Sequence, residues 1–230
     1  MRSWIHTTCL LCLTVVLPGC AIGALIGGIK QNQEYQTLLM VQPKYPNLSG
    51  QTVAVVCDAP MEVLDAYPEL VYTIQRDVAR RIASNVHEAR VLPPHVVSRW
   101  QFQTPAWQAL PLSDILDQLG VHRVVMIEIY EFRLHPHGNR YMWDGVSAAH
   151  VGVIEEGGFD PDSFARTFNI HTSFPSMGHV SRDEVSQSTI VMGLLDGFIK
   201  KTAWLFYEHT EPKYPDKYRQ DLGGGEIEES

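Results

Sequence analysis

The sequence predicts an α/β fold, an α+β sandwich in which a mixed sheet of about five strands carries two long helices and one short helix, packed mainly on one face. Three observations predict it. The run Val53-Ala54-Val55-Val56 is continuous and apolar, as a strand covered on both faces must be. Two later stretches repeat apolar residues every three to four positions. A series of strand-like segments then runs from 121 to 174, separated by loops rich in turn residues.

The first strand spans 51–57 and ends at Cys57. A helix starts near Pro68, with Leu70, Val71, Ile74, Val78, Ile82 and Val86 on one side and Gln75, Arg76, Arg80 and Arg81 turned to water. Val91-Leu92 and Val96-Val97 flank Pro93-Pro94, so this stretch reads as a short strand, at an edge or an end, that the prolines interrupt. Ser113 offers an N-cap for a brief helix over 114–119, which Gly120 terminates.

Val124-Val125-Met126-Ile127-Glu128-Ile129-Tyr130 is the strongest strand, within 121–132. Strands over 141–154 and 167–174 follow it as an antiparallel meander. Glu128 is the one charge inside that first strand and belongs on a solvent-facing side. His135-Pro136-His137-Gly138-Asn139 and Glu155-Glu156-Gly157-Gly158 are turn chemistry. Asp160-Pro161-Asp162-Ser163 lacks the glycine and distal glutamate of a calcium loop and reads as a turn capping a short helical start at Phe164. A last helix over about 183–209 carries Ile190, Leu194, Phe198, Ile199, Leu205 and Phe206 on a broad face. Residues 211–230 read as a disordered acidic tail.

Ahead of the fold, Arg2 precedes an apolar run from 4 to 17, then Leu17-Pro18-Gly19-Cys20. A charged start, a short apolar core and a small residue before the cut make a secretory signal peptide over 1–19. With cysteine first after the cut, the segment resembles a bacterial lipobox, with Pro18 at a position where a small residue is commoner. The resemblance implies cleavage between Gly19 and Cys20, diacylglycerol on the Cys20 thiol and acylation of the new amino terminus. Ala21, rather than Asp, follows the cysteine, which by analogy with enteric bacteria implies the outer membrane, facing the periplasm. An uncleaved anchor is the alternative, because apolar 21–29 prolongs the stretch toward the ~20 residues of a spanning helix. Pro18, Gly19, Gly23, Gly27 and Gly28 disfavour such a helix. Residues 20–49, polar from 31 to 49 and with Pro43 and Pro46, read as the lipidated cysteine and its tether, leaving 50–210 as a single domain.

Of the four cysteines, Cys9 and Cys12 lie in the leader and Cys20 would carry lipid. Only Cys57 remains, reading as a small buried hydrophobe without a disulfide partner. The net charge is −8 and becomes −9 once the leader and its Arg2 are gone. An acidic chain with no Lys/Arg cluster excludes nucleic-acid binding, where neutralising phosphate supplies most affinity. It also disfavours adhesion to anionic lipid, so membrane attachment falls to Cys20 alone.

Taken together, the lipobox, the tether, Val53-Ala54-Val55-Val56, the amphipathic helix, Leu119-Gly120-Val121 leading into Val124-Val125-Met126-Ile127, and a closing helix ending at Phe206 make the chain similar to envelope lipoproteins with a TolB amino-terminal-like domain. That group includes curli-secretion-channel-like lipoproteins and lipoprotein activators of penicillin-binding proteins. The resemblance implies a binding or assembly role in the cell envelope, with a protein partner or self-association, and carries no numbered functional residue.

Catalytic signatures are missing: there is no Gly-x-Ser-x-Gly, no His-Glu-x-x-His and no glycine-rich phosphate loop before a helix. Hence the sequence points to no enzyme and no cofactor. His135 and His137, with His150, His171 and His179, are the weak metal candidates, and a periplasmic metal- or small-ligand-binding protein using these histidine-rich loops is the alternative function. The favoured reading is a lipid-anchored interaction or assembly module. Trp100, Phe102, Trp107, Tyr141 and Trp143 are its candidate interface, because they lie outside the helical stripes and aromatics are enriched where proteins meet.

Overall fold

The computed structural model describes residues 38–158, 160, 162–176, 180–213 and 227–229. Its elements are β1 (Leu38–Val41), β2 (Thr52–Asp58), α1 (Met61–Ala66), α2 (Leu70–Asn85), β3 (Arg90–Val91), α3 (Pro94–Gln103), α4 (Leu112–Leu119), β4 (Arg123–Arg133), β5 (Met142–Trp143), β6 (Gly145–Glu155), β7 (Arg166–Phe174), β8 (Val180–Ser181), α5 (Gln187–Trp204), β9 (His209–Pro212) and β10 (Ile227–Glu229). The described residues from 40 to 210, with 227–229, form one compact unit. A second unit includes, among the described residues, 211–213 and Leu38 and Leu39 of β1, both exposed.

A mixed sheet in the order β10-β7-β6-β4-β2-β3 organises the larger unit. β2 is parallel to β3 and β4, and the rest of the sheet is antiparallel. From β2 the chain steps outward to β3 through α2, then back across β2 to β4 through α3 and α4. Right-handed crossovers in opposite directions put their helices on opposite faces. Accordingly the two long helices, α2 and α5, share one face over Val55, Ile127, Val151 and Phe168. The shorter α3 and α4 cover Ala54, Val56, Val124 and Met126 on the other.

Glycine sets the spacing beneath α5. Gly193 and Gly197, one turn apart, face Phe174 and Thr172, and a Cβ on Gly197 would lie 2.9 Å from the Thr172 methyl. Ser186 begins this helix, its hydroxyl accepting from the Thr189 amide at 3.2 Å. At the far end of α4, Gly120 adopts φ 63° and closes the helix, as its sequence position requires.

Four local expectations are corrected. Pro93-Pro94 does not interrupt a strand: Pro94 is the first residue of α3, where its missing N–H costs nothing and its fixed φ suits a helix. Ser113 does not cap α4, which starts after Pro111; its hydroxyl donates to Asp162 at 3.2 Å. The Ser163 amide donates to the Asp160 carbonyl, as a turn requires, but no helix starts at Phe164, whose ring lies against Gly152. The strand foreseen over 141–154 breaks at Asp144 because Arg133 binds both its carbonyl and its carboxylate, so β5 pairs with β8 and only β6 joins the main sheet.

The folded part also begins ahead of Gly50. Tyr45 and Leu48 are buried, the Tyr45 amide donates to the Leu205 carbonyl at 2.9 Å, and its hydroxyl donates to Glu155. One tyrosine and one leucine anchor a segment whose composition is otherwise polar. Most of the tail over 211–230 lies outside the described residues, as do Gly19 and Cys20; Ile227–Glu229 form β10.

Candidate functional site

Strand β4 crosses from a covered to an uncovered part of the sheet. Val124 and Met126 meet the α3 and α4 layer, but the next residues on that side, Glu128 and Tyr130, are exposed. A β-bulge between Ile129 and Glu131 inserts one extra residue. Tyr130 and Glu131 therefore both sit on the open side, while Ile129 and Phe132 stay in the core beneath α2 and α5. Register extends the open surface across three strands: Glu128 pairs with His150, and His150 with Asn169. The imidazole Nδ1 of His150 lies 2.6 Å from the Asn169 carboxamide oxygen, and its ring centroid lies 4.7 Å from that of Tyr130. His171, one row on, is exposed as well.

One end of this surface is fastened by Arg133. Its guanidinium donates to Glu131 at 2.8 Å, to the Asp144 carboxylate at 2.8 Å, and to the carbonyls of His135 and Asp144 at 2.9 and 3.0 Å. Partial burial opposes the Arg133 charge, but the Asp144 and Glu131 carboxylates outweigh it and raise its pKa. The clasp holds the loop between β4 and β5, which presents His137 and Arg140 to solvent and leaves Tyr141 84% exposed.

The five candidate interface aromatics separate into three groups. Tyr141 and Phe102, the latter 89% exposed on α3, stand in solvent. Trp107 and Trp143 are core residues at 6% and 2% exposure and so are taken up by packing, not by a free surface. Trp143 donates from its indole to the Val185 carbonyl at 2.7 Å, with the His135 ring stacked at 4.6 Å and the Arg182 guanidinium at 5.3 Å. Trp100 is half-buried against Trp107 at 5.8 Å and donates to Gln118. Sequence reasoning missed Tyr130 and Asn169, and weighed His150 only as a metal ligand. The signal for them was Glu128, since a charge inside the strongest strand marks an open side that its strand neighbours must share.

The described histidines do not converge. His135 Nδ1 lies 2.8 Å from the Met142 carbonyl, while His150 and His171 belong to the open sheet surface and His179 lies outside the described residues. Among the described residues no three His, Cys, Asp or Glu side chains gather as metal ligands would. Cys57 is buried, and that burial, with Asp58 beside it, pushes its thiol pKa far up. Such a thiol is not a nucleophile at neutral pH.

A shallow groove follows the α2 and α5 pair on the other side of the molecule. Its apolar end, about 290 Å³, is lined by Tyr67, Pro68, Leu70 and Val191, and its polar end, about 220 Å³, by Asp77, Arg80 and Met192. Thr73 and Leu195 belong to both ends, and Arg81 bridges to Asp196 across it at 3.0 Å.

No family model matches the chain, and no curated protein matches it. Among solved structures it is similar to lipoprotein GNA1162 from Neisseria meningitidis, with 11% identity over 66% of this chain and 97% of that one and a TM-score of 0.43. A PelC dodecamer from Paraburkholderia phytofirmans is similar over 75% of this chain and 99% of its own, at 10% identity and a TM-score of 0.42. A hypothetical protein from Chlamydia trachomatis is similar over 66% and 95%, at 15% identity and a TM-score of 0.40.

Proposed function

We propose that this protein is a lipid-tethered module of the bacterial cell envelope that acts by binding a protein partner or a second copy of itself, without catalysis. The observation that carries the reading is the amino-terminal order of Arg2, an apolar run and Leu17-Pro18-Gly19-Cys20. Lipid on Cys20 would tether the domain, and Leu38, the first described residue, follows it by 18 positions. A fully extended chain of that length reaches roughly 60 Å, so the domain would stay close to the bilayer. Ala21 after the cysteine favours the outer membrane and a periplasmic orientation.

The binding surface in this reading is the open part of β4, β6 and β7. Tyr130 and His150 form an amphipathic step flanked by Glu128 and Asn169, a composition suited to a polar, reversible interface. It costs little to leave such a surface in water, because its polar groups are solvated or paired with one another.

A photo-crosslinking amino acid placed at Tyr130 in native membranes tests the reading. A defined adduct, identified by mass spectrometry as an envelope protein or this chain, is expected from Tyr130 and not from the same probe at Arg80 on α2. Equal labelling at both positions, or none at Tyr130, would remove the open sheet as the binding surface.

A further inference from the structure

Strand β7 is next to last in the sheet, and its outer side is paired only with residues 227–229 of the same chain. Nine residues, Arg166–Phe174, make up β7, and β10 contributes only three, pairing Ile227 with Ile170, Glu228 with Asn169 and Glu229 with Phe168. An exposed edge is a template for any extended segment that presents matching backbone groups. A three-residue ladder is marginal in stability by itself. The resident strand is therefore readily exchanged, and the segment that reproduces its ladder bond for bond is the same carboxyl terminus from another copy.

We propose that β7 is a self-assembly site that accepts residues 227–229 of a second copy in place of its own. Lys213 and Ile227 are 14 positions apart, a reach of at most roughly 50 Å, so the segment can leave its home strand and pair with a neighbour's. The ladder is identical in the two states, and effective concentration decides between them. Dilute chains keep the segment at home. Copies confined to a membrane by lipid on Cys20 face one another at high local concentration and exchange it, and in this respect the inference rests on the tethered reading. Each copy has one strand to give and one site to receive, so reciprocal exchange closes a dimer and exchange along a row gives a head-to-tail chain.

Disulfide trapping in membranes of cells co-expressing two tagged full-length chains tests this, one carrying Asn169→Cys and the other Glu228→Cys. These positions are register partners in the ladder, and directly opposed residues of an antiparallel pair lie close enough for a disulfide. The expected result is a disulfide-linked heterodimer that disappears when the donor chain also carries Ile227→Pro, which removes a backbone donor from the exchanged strand. Chains bearing both cysteines that close only on themselves, with no heterodimer, would overturn exchange and leave the tethered reading intact. No disulfide in either arrangement would overturn it equally, since the ladder itself would then be missing. Failure of the tethered reading shows separately, as chains that carry no lipid and leave the membrane fraction.

Discussion

The side-chain amide of Gln75 donates to the backbone carbonyl of Val55 at 2.8 Å, in place of the neighbouring strand that β2 lacks there. β3 is only two residues long and satisfies β2 as far as Val53, whose carbonyl accepts from the Leu92 amide. Past that point the Val55 carbonyl takes Gln75, and the Cys57 carbonyl takes Gln101 at 3.0 Å. Ser98 donates back to the Gln75 carboxamide oxygen at 2.8 Å, so this buried amide uses both its ends. Two glutamines and a serine from α2 and α3 thus close an edge that would otherwise offer backbone groups to another chain.

Replacing Gln75 with Leu keeps the volume and strands the Val55 carbonyl without a donor. The expected loss is about 1–3 kcal/mol of stability, seen as a lower urea midpoint at unchanged slope. Gln75→Glu should cost more, because it strands the same carbonyl and also buries a carboxylate charge beside it.

This arrangement also marks where the sequence stops being legible. Strand β2, helix α2 and the meander follow from apolar periodicity, and Gly120 ends α4 because a positive φ suits glycine. Gln75 reads as a solvent-facing residue by type, but it sits between Leu70, Ile74 and Val78 on the buried side, and only the shortness of β3 gives it a partner. Helix α3 is hidden for a related reason, since its two leading prolines look like interruptions until a helix start needs them. At the candidate site, the bulge that keeps Glu131 on the same side as Tyr130 leaves no residue signature in β4, whereas Glu128 was visible as a misplaced charge.

Gly145 at the start of β6 has no room for a methyl group. A Cβ there would lie 2.7 Å from the Phe174 carbonyl oxygen, a backbone atom held by the pairing of β6 with β7. Gly145→Ala should destabilise by about 1–3 kcal/mol through overpacking. Thermal unfolding beside wild type checks this, and an unchanged midpoint would mean that the ladder gives way easily.

The buried thiol of Cys57 makes stability depend on alkaline pH. Its folded pKa is raised by burial and then by Asp58, while the unfolded thiol ionises near ~8.5. The stabilising contribution is thus complete below ~8.5 and is lost as pH rises above it, because only the unfolded chain releases the proton. Denaturant midpoints measured between pH 8 and 10 should fall for wild type and fall less steeply for Cys57→Ala.

Asp77 gives the opposite dependence. The hydrogen bond from Arg76, at 2.9 Å, lowers its folded pKa, with Arg80 also bound at 3.1 Å. Its contribution is present above the unfolded carboxylate pKa of ~3.9 and is lost as pH falls through the lower folded value. Asp77→Asn should flatten the acid limb of the stability profile below about pH 4 and leave the neutral region within about 0.5 kcal/mol of wild type, since the pair is partly exposed.

The tether at Cys20 is the central claim, and intact-mass spectrometry of the membrane fraction, wild type beside Cys20→Ser, tests it most directly. The account predicts that wild type lacks residues 1–19 and carries diacylglycerol plus one acyl chain, and that Cys20→Ser carries neither lipid. Wild type that retains the leader, or that begins at Cys20 without lipid, would contradict it.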